Sequence, residues 1–270
     1  MQIPASAEDS VRLVQITDCH LGRNPGSRLV GMDTDASLRA VLALLDSHAI
    51  ESPPDMVIAS GDLADAGAAE AYGRLVPRLE TLAPELCWLP GNHDRREHLL
   101  PLIDTADFCP VRDIGAWRVI CLDSQVPGAV GGALADTELH RLDAALQTSA
   151  GRHVLIALHH QLLPVGCAWL DRQRVANSDA LWRLTQRHPN VRVTLSGHVH
   201  QDWEGHQGAV RVLTSPSTCV QFRPASDQFA LDTRPPGYRW LQLHADGRID
   251  TGVARARGFR VELDHSATGY

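Results

Sequence analysis

No apolar run in this 270-residue sequence approaches the ~20 residues that cross a bilayer. Basic excess is missing too. Lys+Arg number 25 against 32 Asp+Glu, a formal net charge of −7, so no global positive field awaits a nucleic-acid backbone. The six cysteines (Cys19, Cys87, Cys109, Cys121, Cys167, Cys219) form no CxxC pair and mostly sit in apolar stretches. That argues against a disulfide frame and predicts reduced thiols in a cytoplasmic protein. Residues 1–10, MQIPASAEDS, lack the basic and apolar regions of a signal peptide and read as a loose lead-in. Internal repeats and low-complexity tracts are absent. What remains is ordinary in bulk, 44% apolar and 21% charged, and long enough for an ample core, which predicts one domain over 1–270. Histidine is the exception: 14 residues, often beside Gly and Asp, and imidazole is the commonest metal ligand.

The most informative stretch is Leu89-Pro90-Gly91-Asn92-His93-Asp94. The apolar residues 86–89 read as a buried strand. The strand stops at Pro-Gly and then presents an amide, an imidazole and a carboxylate. Four more apolar runs end in the same way: 11–17 at Asp18-Cys19-His20, 56–59 at Ser60-Gly61-Asp62, 153–158 at His159-His160, and 191–195 at Ser196-Gly197-His198-Val199-His200. Helical stripes lie between them. Leu38, Val41, Leu42 and Leu45 follow candidate N-caps at Asp33, Thr34 and Asp35. Tyr72, Leu75, Val76, Leu79 and Leu82 form a second stripe, which Pro77 is expected to kink or split. Leu139, Leu142 and Leu146 form a third, and Leu181, Trp182 and Leu184 a fourth after an Asn177-Ser178 cap. Alternating strands and helices imply parallel pairing. Beyond His200 only short strand patterns remain, at 210–213, 218–222, 238–243 and 249–254, with a hairpin turn at His244-Ala245-Asp246-Gly247. The expected fold class is α/β: a layered body whose final third adds antiparallel strands.

Residues just past the C-termini of parallel strands converge on one edge of the sheet. Asp18, His20, Asp62, Asn92, His93, the His159-His160 pair, His198 and His200 should therefore meet. They are too many for one ion of four to six ligands and suit two. Mixed His and Asp favour Zn, Mn or Fe over Mg or Ca. Paired ions lie about 3.5–4 Å apart and need a bridging carboxylate. On an extended backbone, alternate side chains point the same way. Asp18 and His20 should then grip one ion, while His198 and His200 reach the two side by side. Gly61, Gly91 and Gly197 are expected to permit tight turns. Asn92, a neutral ligand, leaves net positive character for an anionic phosphate. His48, His140, His153, His188, His206, His244 and His265 read as surface residues, and Cys19 and Cys219 as packing.

The five blocks resemble the calcineurin-like metallophosphoesterase superfamily. Its pattern D-x-H, G-D, G-N-H-[DE], a lone H after a strand, and G-H-x-H stands here as Asp18-Cys19-His20, Gly61-Asp62, Gly91-Asn92-His93-Asp94, His159 and Gly197-His198-Val199-His200. A closer resemblance is to the bacterial class III cyclic-nucleotide phosphodiesterases that act on cAMP. It rests on Ser60-Gly61-Asp62-Leu63-Ala64-Asp65, Leu158-His159-His160, Pro216-Ser217-Thr218-Cys219-Val220-Gln221-Phe222 and residues 236–247. The resemblance implies a β-sandwich flanked by helices, with a dimetal site at the strand C-terminal edge. It implies Asp18, His20 and His200 on the first metal, Asn92, His159 and His198 on the second, and Asp62 bridging. Fe and/or Mn are the implied ions, with Zn as an alternative. A metal-bridging hydroxide would attack the phosphorus in line. His93 would face the leaving oxygen as imidazolium, oriented through its second nitrogen by Asp94. Asn92, His93, His20 and His200 are the implied substrate contacts. The implied partner is a cyclic nucleotide, and the assembly a monomer or homodimer without nucleic-acid or membrane partners. Gln161-Leu162-Leu163 departs from the family, which usually carries His or Pro there, so His160 competes with His159 as ligand. Competing readings are other small phosphodiesters (glycerophosphodiesters, 2′,3′-cyclic nucleotides), a nuclease, which the acidic charge disfavours, and a non-catalytic scaffold, which would have lost ligands.

Overall fold

The segment Met56–Ser60 is buried on both faces. Met56 and Ile58 enter one apolar layer, Val57 and Ala59 another. A strand covered on both sides reads as an unbroken apolar run and not as an alternation. The same holds for His153–Ala157, where Leu155 and Ala157 face inward and Val154 and Ile156 outward. Such strands need two sheets stacked face to face with helices outside, and the computed structural model, which describes residues 10–49 and 53–269, has that arrangement. Of the expected lead-in, all but Ser10 lies outside the described residues.

In chain order the first half runs β1 (Ser10–Ile16), β2 (Arg28–Leu29), β3 (Met32–Asp33), α1 (Thr34–Ala49), β4 (Met56–Ser60), α2 (Ala69–Leu79), β5 (Glu85–Leu89), α3 (Arg96–Leu99), β6 (Val111–Ile114), β7 (Trp117–Cys121) and α4 (Asp136–Gln147). The second half runs β8 (His153–Ala157), α5 (Ala168–Asp171), α6 (Ser178–Thr185), β9 (Val191–Ser196), β10 (Glu204–Gln207), β11 (Val210–Thr214), β12 (Gln221–Phe222), β13 (Leu231–Asp232), β14 (Gly237–His244) and β15 (Ile249–Arg255). One sheet has the order β15-β14-β1-β4-β5, the other β10-β11-β9-β8-β7-β6. β1, β4 and β5 are parallel, and so are β7, β8, β9 and β11. The antiparallel β14–β15 hairpin closes one edge, as the 244–247 turn predicts.

Leu13, Ile58, Leu89, Val119, Leu155, Val193 and Leu241 fill the space between the sheets. Leu38, Val41 and Leu45 of α1 and Tyr72, Leu75 and Leu79 of α2 cover the first sheet. Leu142 and Leu146 of α4 and Leu181 and Trp182 of α6 cover the second. Each such side chain, once buried, stabilises by roughly 1.5–3 kcal/mol. The fold class is as expected, but β11, one of the strands expected to add on antiparallel, pairs parallel with β9, and three further particulars differ. Helix α2 is not split at Pro77: the proline gives up its own bond to the carbonyl of Gly73, and only two helical residues lie beyond it to be displaced. Asn177 does not cap α6; its amide pairs instead with both backbone groups of Leu134. The expected strand at 218–222 shrinks to β12, since Thr218 and Cys219 turn back to bond Thr17 O and Ser217 Oγ. Asp33 does cap α1, accepting from Ala36 N at 2.8 Å.

Candidate metal centre

The loops after β1, β4, β5, β8 and β9 leave the C-terminal ends of parallel strands of both sheets. They are stitched together across the edge. Asp18 N donates to Gly61 O at 2.9 Å, His20 N to Asp62 O at 2.9 Å, and Gly197 N to His159 O at 3.0 Å. His93 N donates to Asp62 Oδ1 at 2.8 Å. His198 N reaches Asp18 Oδ2 at 3.1 Å.

The backbone there is not extended, contrary to the reasoning from alternate side chains. Asp18, His20, Asp62, His198 and His200 have φ of 55°, 45°, 48°, 64° and 50°. Asp and His tolerate this left-handed region better than most residues, yet each such residue costs on the order of 1–3 kcal/mol. The cross-loop hydrogen bonds offset that strain. The left-handed turn, and not a pleat, brings every second side chain to the same centre. Gly91 is required for closeness: a Cβ there would run into the amide and carboxylate of Asp62.

The side chains gather into overlapping groups whose ligand atoms lie within 4.8 Å of one another: Asp18, His20 and His200; Asp18, Asp62 and His159; His20, Asp62 and His93; and His159, His160 and His198. Asp62 belongs to two of them and stands between the rest. Its Oδ2 is 3.8 Å from His20 Nε2 and 3.3 Å from His159 Nε2. On the other side, His200 Nε2 lies 3.2 Å from Asp18 Oδ1 and 3.3 Å from His20 Nε2.

Hydrogen bonds on the far ring nitrogens decide which atoms point inward. His159 Nδ1 donates to Ser60 O at 2.8 Å, and His200 Nδ1 to Val220 O at 2.8 Å, so both offer Nε2. His198 donates Nε2 to Gln173 Oε1 at 3.2 Å and offers Nδ1. His160 has both nitrogens engaged: Nε2 donates to Val130 O at 3.1 Å and Nδ1 accepts from Ser124 Oγ at 2.8 Å. The geometry therefore separates the two members of the pair, leaving a ring nitrogen for a cation on His159 and none on His160.

Burial pushes the imidazoles of His20 and His198 well below the ordinary histidine range, and takes His160 to about 3. Burial opposes charge on His159 as well, but the Asp62 carboxylate more than offsets it and lifts that ring to about 9. Asp62 is held well down despite its burial, by His159, His93 and His20. Neutral imidazoles, as at His20 and His198, and an ionised central carboxylate are the forms that ligate metal, and His159, which Asp62 keeps protonated, would release its proton to a bound cation. Two buried atoms of the candidate ligands, Asn92 Oδ1 and His159 Nε2, have no hydrogen-bond partner among the described residues. Buried polar atoms are seldom left so, and a cation beside each would satisfy them. The N/O donor set fits a pair of transition-metal ions.

Asp94 does not take the place expected for it. Its carboxylate accepts from Leu63 N, Ala64 N, Gly91 N and Tyr72 Oη, the last at 2.7 Å. It braces the turn and not the His93 ring; burial and the charge of Asp62 raise it to about 6. The His93 Nδ1 stands 4.0 Å from Asp65 Oδ1 instead. Tyr72 was legible only as core, although a buried tyrosine hydroxyl demands a partner.

A cleft of about 240 Å³ opens over the centre, lined by Asp62, Asn92, His93, His198 and His200. Of the expected substrate contacts, His20 is not on its wall; that residue is fully buried, its ring edge-on to His93 at 4.8 Å. The rest of the cleft lining is Val130, Trp169, Leu170, Gln173, Phe222, Phe229, Thr268 and Gly269. Sequence reasoning missed Trp169, Gln173 and Phe229, which lie on no motif and no periodic face. Cys19 and Cys219 are fully buried packing, as expected.

The family model for the calcineurin-like phosphoesterases matches residues 11–202. A 3′,5′-cyclic adenosine monophosphate phosphodiesterase, CpdA, of Pseudomonas aeruginosa is 41% identical over 267 residues, covering 98% of this chain and 97% of its own. The enzyme of that name in Escherichia coli K12 is 37% identical, covering 100% and 98%. A 3′,5′-cyclic-nucleotide phosphodiesterase of Nostoc is 37% identical, covering 91% and 92%. Among solved structures, a dimetal phosphatase from Danio rerio superposes with a TM-score of 0.66 at 16% identity, covering 91% of this chain and 99% of that one, which speaks for the fold alone. With Asp18, Asp62, Asn92, His159, His198 and His200 gathered at one edge of such a sandwich, the chain belongs to the calcineurin-like phosphoesterase family.

Proposed function

We propose that this chain is a dimetal hydrolase that opens the phosphodiester of 3′,5′-cyclic AMP to 5′-AMP. The observation that carries this reading is the near-full-length identity, 37–41%, to enzymes named for that substrate, and the overlapping His and Asp groups around Asp62 support it. Asp18, His20 and His200 would hold one ion, Asn92, His159 and His198 the other, and Asp62 both. Fe with Mn, or two Mn, fit these ligands, with Zn as the alternative. When bound, such a pair polarises phosphoryl oxygens and brings the pKa of a water near 7.

The remaining work falls to the chain. The Asp62 carboxylate holds the His93 amide, and so fixes the turn that carries Asn92 and His93. His93 lines the cleft with about a fifth of its side chain exposed. From there it delivers a proton to the leaving ester oxygen, a contribution of about 10²–10⁴-fold. Asp94 and Tyr72 keep the turn in place from behind. The enzyme acts in the cytoplasm as a monomer or homodimer; among the described residues no helix is long and apolar enough to cross a membrane. The test is kcat/KM on cAMP, cGMP, 2′,3′-cAMP and a glycerophosphodiester, with metal analysis of protein purified without chelator. The reading expects cAMP to lead and two ions per chain. A glycerophosphodiester or 2′,3′-cAMP in front would defeat the substrate assignment, and full metal content without turnover would make the chain a scaffold.

A further inference from the structure

The cleft over the metal centre is divided by polarity. One part of its lining is Asp62, Asn92, His93, His198 and His200; another is the apolar and aromatic Val130, Trp169, Leu170, Phe222 and Phe229. Trp169 meets Phe222 at 4.9 Å and Phe229 at 5.4 Å between ring centroids, and Phe222 meets Phe229 at 5.6 Å, all edge to face. Phe222 also stacks on His200 at 4.1 Å and 11°, so the aromatic wall continues directly from a ligand ring. Phe222 is only 3% exposed, whereas Trp169 and Phe229 are half-buried and give surface to the cleft. On the other side of His93 a second cleft, of about 550 Å³, is lined by Arg95, Arg96, Glu97, Gln125 and Pro127, and His93 is the one ring in its lining.

We propose that the Trp169–Phe229 wall is a nucleobase subsite, in which the substrate's base stacks while its phosphodiester lies over Asp62 and beside His93. The inference rests on the cyclic-nucleotide reading above and adds to it where nucleotide specificity arises. In a 3′,5′-cyclic nucleotide both ester oxygens belong to one ribose. The whole organic part of the molecule therefore leaves the phosphorus on one side, and the base must lie close by. Of the two clefts that meet at His93, only one has an aromatic wall. Every base has a π-face, and stacking on an aromatic side chain contributes about 1–3 kcal/mol. The metal centre treats all phosphodiesters alike; the wall distinguishes those that carry a base.

The experiment compares cAMP with methyl riboside 3′,5′-cyclic phosphate, the same ring ester without a base, on the metal-loaded enzyme and its Phe229→Ala and Trp169→Ala variants. Each variant should lose about 10- to 100-fold in kcat/KM on cAMP, carried by KM. The base-free ester should change less than twofold, and metal content should stay at the wild-type value. Phe229→Trp should restore cAMP turnover. Phe229→Leu, which keeps apolar volume but no ring, serves where the alanine variants fail to fold, and should show the same selective loss. Equal losses on both esters, or no loss on cAMP, would overturn the subsite. A wild-type enzyme that cleaves the base-free ester as well as cAMP would overturn it too. A wild type inert on cAMP but active on the base-free ester would instead sink the substrate assignment, so the two failures are distinguishable.

Discussion

The two ends of the active cleft are built on different principles. The polar end stands on five short turns, each tied to a neighbour by a hydrogen bond from a backbone N–H to a carbonyl or carboxylate, with five non-glycine residues in the left-handed region. The apolar end stands on the short helix α5, the two-residue strand β12 and the loop after it, where side chains meet edge to face. A group that holds a cation must be placed to a fraction of an ångström, and strain is tolerated to achieve it. A wall that stacks a base needs only area. Strand ends therefore carry the chemistry, and a short helix, a short strand and a loop the selectivity.

The sharpest blow to the polar end is Asp62→Ala. It removes the carboxylate shared by two ligand groups and the acceptor for His93 N. Both metals and all measurable turnover should go, while the sandwich core, which Asp62 does not enter, keeps the far-UV dichroism. Retention of both ions by this variant would show that no carboxylate is shared. Next in size is the contrast between adjacent histidines. His159→Ala should drop the metal content from two ions to one with loss of most activity, and His160→Ala should keep both, because its nitrogens are already engaged by Val130 O and Ser124 Oγ. The reverse outcome would exchange their roles. His93→Ala should keep the metals and lose about 10²–10⁴-fold in kcat on cAMP. A leaving group of low pKa, such as p-nitrophenolate, needs no proton and should be affected far less; equal losses on both would reduce His93 to a brace for the turn.

The same comparison explains what the sequence disclosed. Asp18, Asp62, Asn92 and His198 were legible because each sits where an apolar strand run stops at a small residue and a ligand type follows, and that pattern has few other uses. The parallel pairing of β1, β4 and β5 followed from the alternation of helix and strand. The left-handed turns were not legible, since the same Asp-x-His spacing suits a pleated strand. Nor was the choice of His159 over His160, which depends on the carbonyl of Ser60 arriving from another strand to take Nδ1. Trp169 and Phe229 were invisible for a stronger reason. They are brought together by α5 and the loop after β12, which carry no period, and a lone aromatic in a loop looks the same whether it packs a core or lines a cleft.

The smallest effect expected is at Tyr72, behind the polar end. Tyr72→Phe removes one of the donors to Asp94 and the acceptor for Arg95 N, while the ring, fully buried among Leu75, Leu79 and Trp88, keeps its packing. Leaving a buried carboxylate short of one partner costs about 1–3 kcal/mol. That loss should register as a lower midpoint in urea with an unchanged slope. Asp94 keeps its three backbone donors, so the turn should hold its shape and kcat on cAMP should fall no more than a few-fold. A collapse of activity with little loss of stability would mean that the hydroxyl reaches the chemistry through Asp94, and that the brace and the site are one unit.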